Sequence, residues 1–263
     1  MTGTVPVLSI VFMAVSCIVG FALPIGLLLY FRIKKKADLL PFFVGCGVML
    51  VFALILEAAV HRIVLSSAAG AMILENTWLY ALYGGMMAAL FEETGRFLAF
   101  VTVLKNKRNK DINALMYGAG HGGFEAAALL GITMINNITW SVLINTGNEK
   151  TLTDAVSGEA LTQVKTAIEQ LCTMRPPEFL LGGVERIFAV TLQIALSVLV
   201  WFAAKNRNSW FLFLVAILIH FFVDAVTVIL QRSGVPVLAL EAVVGVFAVA
   251  AAVLAKRVWD RSV

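Results

Sequence analysis

The chain is poor in charge. Only 14% of its 263 residues are Asp, Glu, Lys or Arg, and 60% are apolar. A soluble domain carries about 25% charged and about 45–50% apolar residues. The shortage excludes a disordered chain, a nucleic-acid-binding tail and an ordinary cytosolic enzyme. Cysteine is scarce too. Cys17, Cys46 and Cys172 are far apart and form no CxxC pair, which excludes a disulfide framework and a thiolate metal site. No basic segment precedes the first apolar run and no small-residue cleavage site follows it, so that run reads as a retained span and not as a signal peptide. No internal repeat is visible, which counts against an inverted-repeat transporter.

What the chain has instead is long apolar sequence, with a mean hydropathy of +0.93. A helix crosses the hydrocarbon core in about 20 residues. Seven stretches suffice: roughly 5–31, 38–62, 77–104, 112–145, 179–204, 209–231 and 235–256. They predict an all-α polytopic bundle of about seven spans, one transmembrane domain over residues 1–263. The fourth stretch is too long for one crossing and is expected to leave an interfacial extension near Asn136, Asn137 and Trp140.

The basic residues report topology. Arg32, Lys34, Lys35 and Lys36 follow the first span, and Lys105, Lys107, Arg108 and Lys110 the third. Lys205 and Arg207 follow the fifth, and Lys256, Arg257 and Arg261 the seventh. The opposite loops carry Arg62, Lys150, Lys165, Arg175 and Arg232. This bias places the N-terminus outside and the C-terminus in the cytosol. Residues 146–178 then form an extracytoplasmic loop. Val164, Ile168 and Leu171 recur there at helical spacing, predicting a short amphipathic helix over roughly 157–172 that Arg175-Pro176-Pro177 stops.

Ionisable residues at mid-membrane cost several kcal/mol each unless paired, and they mark function by default. Spans one and seven carry almost none. Span three carries Glu92, Glu93 and Arg96; span four His121 and Glu125; span five Glu185, Arg186 and Gln193; span six His220 and Asp224. Counted at about 1.5 Å per residue from the cytosolic end of each span, Glu92, His121, Gln193 and His220 all come out roughly 15–18 Å deep. Spacing adds a second constraint. His121 and Glu125 are four apart, as are His220 and Asp224 and Glu92 and Arg96, so each pair shares a helix face. Arg186 and Gln193 are seven apart, with Ser197 on the same stripe. Gly118, Gly120, Gly122 and Gly123 flank His121 and would let neighbouring helices approach closely. Spans three to six are therefore expected to share a polar interior. Two imidazoles with carboxylates and no thiolate suit a divalent metal such as zinc, beside which a carboxylate can act as general base on water. Glu185 and Arg186 sit nearer the outer interface and read as a supporting salt bridge. Glu57, His61 and Glu241 also fall near outer span ends.

These residues resemble the YhfC-type intramembrane metalloprotease family. More distantly they are similar to the CAAX prenyl protease and bacteriocin-immunity superfamily and to the PrsW proteases. The likeness rests on Glu92-Glu93-x-x-Arg96, on Gly120-His121-Gly122-Gly123-Phe124-Glu125, on Glu185-Arg186 and on His220-x-x-x-Asp224. The resemblance implies an intramembrane endopeptidase acting on a membrane-embedded or membrane-anchored peptide or protein, in a bacterial plasma membrane, with no nucleic-acid partner. It implies that Glu92 activates water and that Glu93 and Arg96 form a supporting ion pair. His121 and His220 would hold the metal or the water, with Glu125 a further ligand. Asp224 would be a ligand, orient His220 or help stabilise the oxyanion. Gln193 stands where such families commonly place a histidine. Two other readings use the same residues. A proton- or cation-coupled transporter would need a polar ladder through the bilayer. A catalytically inactive relative acting as a membrane-protein binder or immunity factor would account for Gln193.

Overall fold

The computed structural model describes residues 3–262 and contains no strand among them. Ten helices follow in order. They are α1 (Val7–Lys34), α2 (Leu40–Leu65), α3 (Ala68–Glu75), α4 (Thr77–Val101) and α5 (Ile112–Asn145), then α6 (Lys150–Thr153), α7 (Gly158–Thr173), α8 (Pro176–Lys205), α9 (Arg207–Arg232) and α10 (Val237–Ser262). Six of them, α1, α2, α5, α8, α9 and α10, are long and apolar enough to cross a membrane. The seventh stretch expected to cross is α4. Its 25 residues would span about 37 Å at helical rise, but Glu92, Glu93 and Arg96 make it less apolar than the other six. The chain is an integral membrane protein.

Local chemistry sets several helix ends. Ser67 Oγ accepts from Gly70 N at 3.2 Å and starts α3. Asn76 Oδ1 accepts from Trp78 N and Leu79 N at 2.9 and 3.1 Å and starts α4, as N-cap side chains do. Pro176 opens α8, where a missing N–H costs nothing. No break falls near residue 136: α5 runs on to Asn145, with π-helical geometry over Ala126–Ile132. A second π segment, Met49–Glu57, lies inside α2.

The fold divides into two compact units. One holds the residues up to Ala22 together with Ala126–Arg186. Its core is Met13, Leu130, Met134, Ile144, Ile168, Leu171 and Phe179. Asn145 clips the chain start from both sides, accepting from Val5 N at 2.7 Å and donating to Val5 O at 2.9 Å. The helix expected over 157–172 is α7; it buries Ile168 and Leu171, and Val164 packs against the same core.

The other unit holds Leu23–Glu125 and the residues from Ile187 onward. Phe100 packs edge-on against both Tyr117 and Trp201, with ring centroids 4.6 and 5.0 Å apart. Such pairs add about 0.5–1.5 kcal/mol beyond their area. Helix α2 and the first half of α5 meet backbone to backbone. A Cβ on Gly45 would collide with Tyr117 O, and one on Gly120 with Phe42 O. Gly118 and Gly122 admit α8 in the same way, at Ile194 and Gln193. Helices α4 and α9 close up where Gly85 faces the Phe221 carbonyl. Glycine thus lets α2 and α8 close on α5, and α9 close on α4.

Candidate active site

Glu92 is the centre of a buried polar cluster. Its Oε2 lies 2.9 Å from His121 Nε2 and accepts from Gln193 Nε2 at 2.8 Å. His220 Nε2 stands 4.0 Å from the same oxygen and 3.5 Å from Asp224 Oδ2. His220 Nδ1 lies 2.8 Å from Glu93 Oε1. Glu93 is also bound by Arg96, whose other terminal nitrogen donates to Gln193 Oε1. Gln193 Nε2 reaches Glu125 Oε2 at 3.1 Å. Helices α4, α5, α8 and α9 each supply at least one member.

Glu92, Glu93, Arg96, His121, Gln193 and His220 are all buried, and Asp224 and Glu125 are half-buried. A buried charge left alone costs several kcal/mol, and good geometry with saturated hydrogen bonding offsets it. Glu93 illustrates the compensation, since its carboxylate is shared by Arg96 and His220. Gln193 is the connector. Its amide oxygen takes Arg96 and its amide nitrogen serves Glu92 and Glu125, so the side chain couples the cation to two acids. A glutamine does this where a neutral histidine, with one donor and one acceptor, would offer one hydrogen bond fewer.

The hydrogen bonds assign the imidazole tautomers. With Glu92 ionised, His121 donates from Nε2. Its Nδ1 is buried and has no hydrogen-bond partner among the described residues. With Glu93 ionised, His220 donates from Nδ1, and its Nε2 faces Asp224 at 3.5 Å and Glu92 at 4.0 Å. Tyr117 stacks on His121, with centroids 5.9 Å apart and the planes tilted by 26°, and holds that ring in place.

A family model described as YhfC intramembrane metalloprotease matches residues 19–248, a range that contains every member of this cluster. The chain belongs to that family. It is also similar to the "Uncharacterized membrane protein YhfC" of Bacillus subtilis (strain 168), at 37% identity over 257 residues covering 96% of this chain and 98% of the relative. No solved structure matches.

The family's description implies a metal. The donor types here fit a divalent ion: two imidazoles beside carboxylates, with His121 Nδ1 buried and without a hydrogen-bond partner among the described residues. Among the described residues, no three or more His, Cys, Asp or Glu side chains are arranged ready to hold one. The three side chains expected as ligands are distributed accordingly. His121 and His220 both approach Glu92, while Glu125 is joined to them through Gln193. Glu185 and Arg186 pair with each other in the other unit of the fold.

One participant escapes sequence reasoning. Glu57, expected near an outer span end, is buried and interacts electrostatically with Glu92, His220 and Asp224. Its Oε1 lies 3.0 Å from His61 Nε2, and His61 Nδ1 lies 2.9 Å from the Tyr83 hydroxyl. The available signal was the acid–histidine spacing of four, which Glu57 and His61 share with His121–Glu125 and His220–Asp224. Glu57 also ends a π segment and Glu125 immediately precedes another, and such segments recur at functional sites.

Proposed function

We propose that this protein is an intramembrane endopeptidase that hydrolyses a peptide bond of a membrane-embedded or membrane-anchored chain, with Glu92 as general base. The observation that carries the reading is the convergence on one carboxylate oxygen, Glu92 Oε2, of His121, Gln193 and His220. A carboxylate held this way is fixed in position and can accept a proton from water at one oxygen. Positioned general-base catalysis contributes about 10²–10⁴-fold in rate.

The remaining residues take supporting roles. Glu93 and Arg96 form the ion pair that braces the Glu92 segment of α4. Glu93 also orients His220 by accepting from its Nδ1. His220, facing the same space as Glu92, would donate from a protonated Nε2 to the scissile carbonyl oxygen as charge develops there, with Asp224 holding that proton on the ring. After proton uptake from water, Glu92 would return the proton to the leaving amide nitrogen. Burial of Glu92, His121 and His220 strengthens each of these interactions.

His121 and His220, with Glu125 or Asp224, are the residues that would hold a divalent ion, and zinc suits that donor set. When bound, the ion would supply Lewis-acid polarisation. The basic-residue bias supports an outside N-terminus and a cytosolic C-terminus.

The test is cleavage of a transmembrane-peptide library in proteoliposomes, with elemental analysis of the same preparation. The wild type is expected to cleave and Glu92→Gln to lose cleavage with an unchanged helical spectrum. Metal is expected in wild type and depleted in His220→Ala. Cleavage that survives Glu92→Gln would overturn the assignment.

A further inference from the structure

Away from the polar cluster, α8 and α10, with Leu115 of α5, line a groove of about 400 Å³, within the range of about 300–1,000 Å³ typical of ligand sites. Its body is apolar and its floor is made of small residues. Ile194, Ala195 and Val198 come from one face of α8, and Ala252 and Ala255 from one face of α10, each set at the spacing of three and four that shares a helix face. Both helices are apolar enough to cross a membrane, so an apolar groove between them is open to lipid. The mouth is different. Trp259 stands there with Lys256 and Asp260, which pair at 2.7 Å one helical turn apart. Their side chains are 74% and 56% exposed.

We infer that this groove is a binding site for phosphatidylethanolamine, with an acyl chain between α8 and α10 and the headgroup across Lys256 and Asp260. Charge complementarity selects that headgroup. It carries an anionic phosphate and a primary ammonium, and the mouth carries a cation and an anion. Binding exchanges one exposed ion pair for two, phosphate with Lys256 and ammonium with Asp260. The ammonium has N–H groups to donate to the carboxylate, and charge-assisted bonds of this kind are the strong ones. A phosphatidylcholine headgroup has no N–H to offer Asp260. A phosphatidylglycerol headgroup has no cation at all and would leave the Asp260 carboxylate facing a phosphate. The Trp259 indole suits the same level, an apolar ring with one polar edge at the membrane boundary.

The experiment reconstitutes the full chain into nanodiscs holding equal parts phosphatidylethanolamine, phosphatidylcholine and phosphatidylglycerol, releases it gently and counts retained lipids by native mass spectrometry. Phosphatidylethanolamine is expected to be retained about two- to fivefold over either competitor, the size of one solvent-exposed ion pair. Asp260→Asn should bring it down to the phosphatidylcholine level. Ala252→Trp, which fills the groove, should lower retention of all three, whereas Val249→Trp on the exposed side of α10 should not. Retention of phosphatidylglycerol or phosphatidylcholine equal to that of phosphatidylethanolamine overturns the inference. So does an Asp260→Asn protein that keeps the preference, an Ala252→Trp protein that retains as much lipid as wild type, or a wild type that retains none.

Discussion

His121 Nε2 and Glu92 Oε2 stand 2.9 Å apart, although 29 residues separate them in the chain. The contact joins α4 to α5 at a point where Gly120 and Gly122 let α5 approach both α2 and α8. In the proposed mechanism this contact makes His121 the residue that orients the base. His121→Asn should lower kcat by about 10²–10⁴-fold while leaving KM close to wild type. Steady-state kinetics on any cleaved peptide decide this; a change confined to KM would assign His121 to substrate binding instead.

Gln193 ties Arg96 to Glu92 and Glu125. Gln193→Leu keeps the volume and removes both ends of that bridge, leaving charged groups short of partners in a buried site. Losses of this kind cost about 3–5 kcal/mol. The thermal midpoint in detergent should fall sharply, and further than for Ser197→Ala on the same helix. Equal midpoints for wild type and Gln193→Leu would show that the bridge is not holding the cluster.

Two glycines on α2 provide an internal control. A Cβ at Gly45 would strike Tyr117 O, whereas one at Gly47 would meet nothing within 4 Å. Gly45→Ala should destabilise by about 1–3 kcal/mol through overpacking, and Gly47→Ala should be neutral or stabilise by up to about 1 kcal/mol through helix propensity. Paired unfolding curves measure the difference.

Asp38 lies between the first two spanning helices. Its carboxyl is held below the ordinary value of 3.8, chiefly by the hydrogen bond from Lys110, with Asn113 and Lys107 adding to the effect. A depressed folded-state value means that the stabilisation is complete above the unfolded value and disappears as the pH falls through the folded one. The stability difference between wild type and Asp38→Asn should therefore be flat at neutral pH and shrink below pH 3.8. It should also shrink in high salt, since the Lys110 side chain is half exposed. A difference independent of pH would rule out the ion pair as its source.

Much of this arrangement was legible in the sequence, for physical reasons. The low dielectric of a bilayer makes every intramembrane charge conspicuous, so Glu92, Glu93, Arg96, His121 and His220 stand out; counting along the helices set Glu92, His121, Gln193 and His220 level, and these four side chains do meet. The glycines around His121 announced a close approach because small residues have that one obvious use. The amphipathic helix α7 could be read from three apolar residues. Three things could not be read. Glu57 looked peripheral because depth was counted along a regular helix, whereas its position beside the cluster depends on how α2 packs against α4. The bridging geometry of Gln193 depends on three partners from two other helices, which spacing within α8 does not reveal. The division of the fold at Ala22, Glu125 and Arg186 falls inside α1, α5 and α8, where the apolar sequence carries no linker to mark it.

The central claim is that Glu92 delivers water to a peptide bond. Cleavage of a transmembrane peptide in H₂¹⁸O, read by mass spectrometry, tests it most directly. One ¹⁸O is expected in each new C-terminal carboxyl from the wild type, and no labelled product from folded Glu92→Gln. Labelled product from Glu92→Gln at the wild-type rate would contradict it.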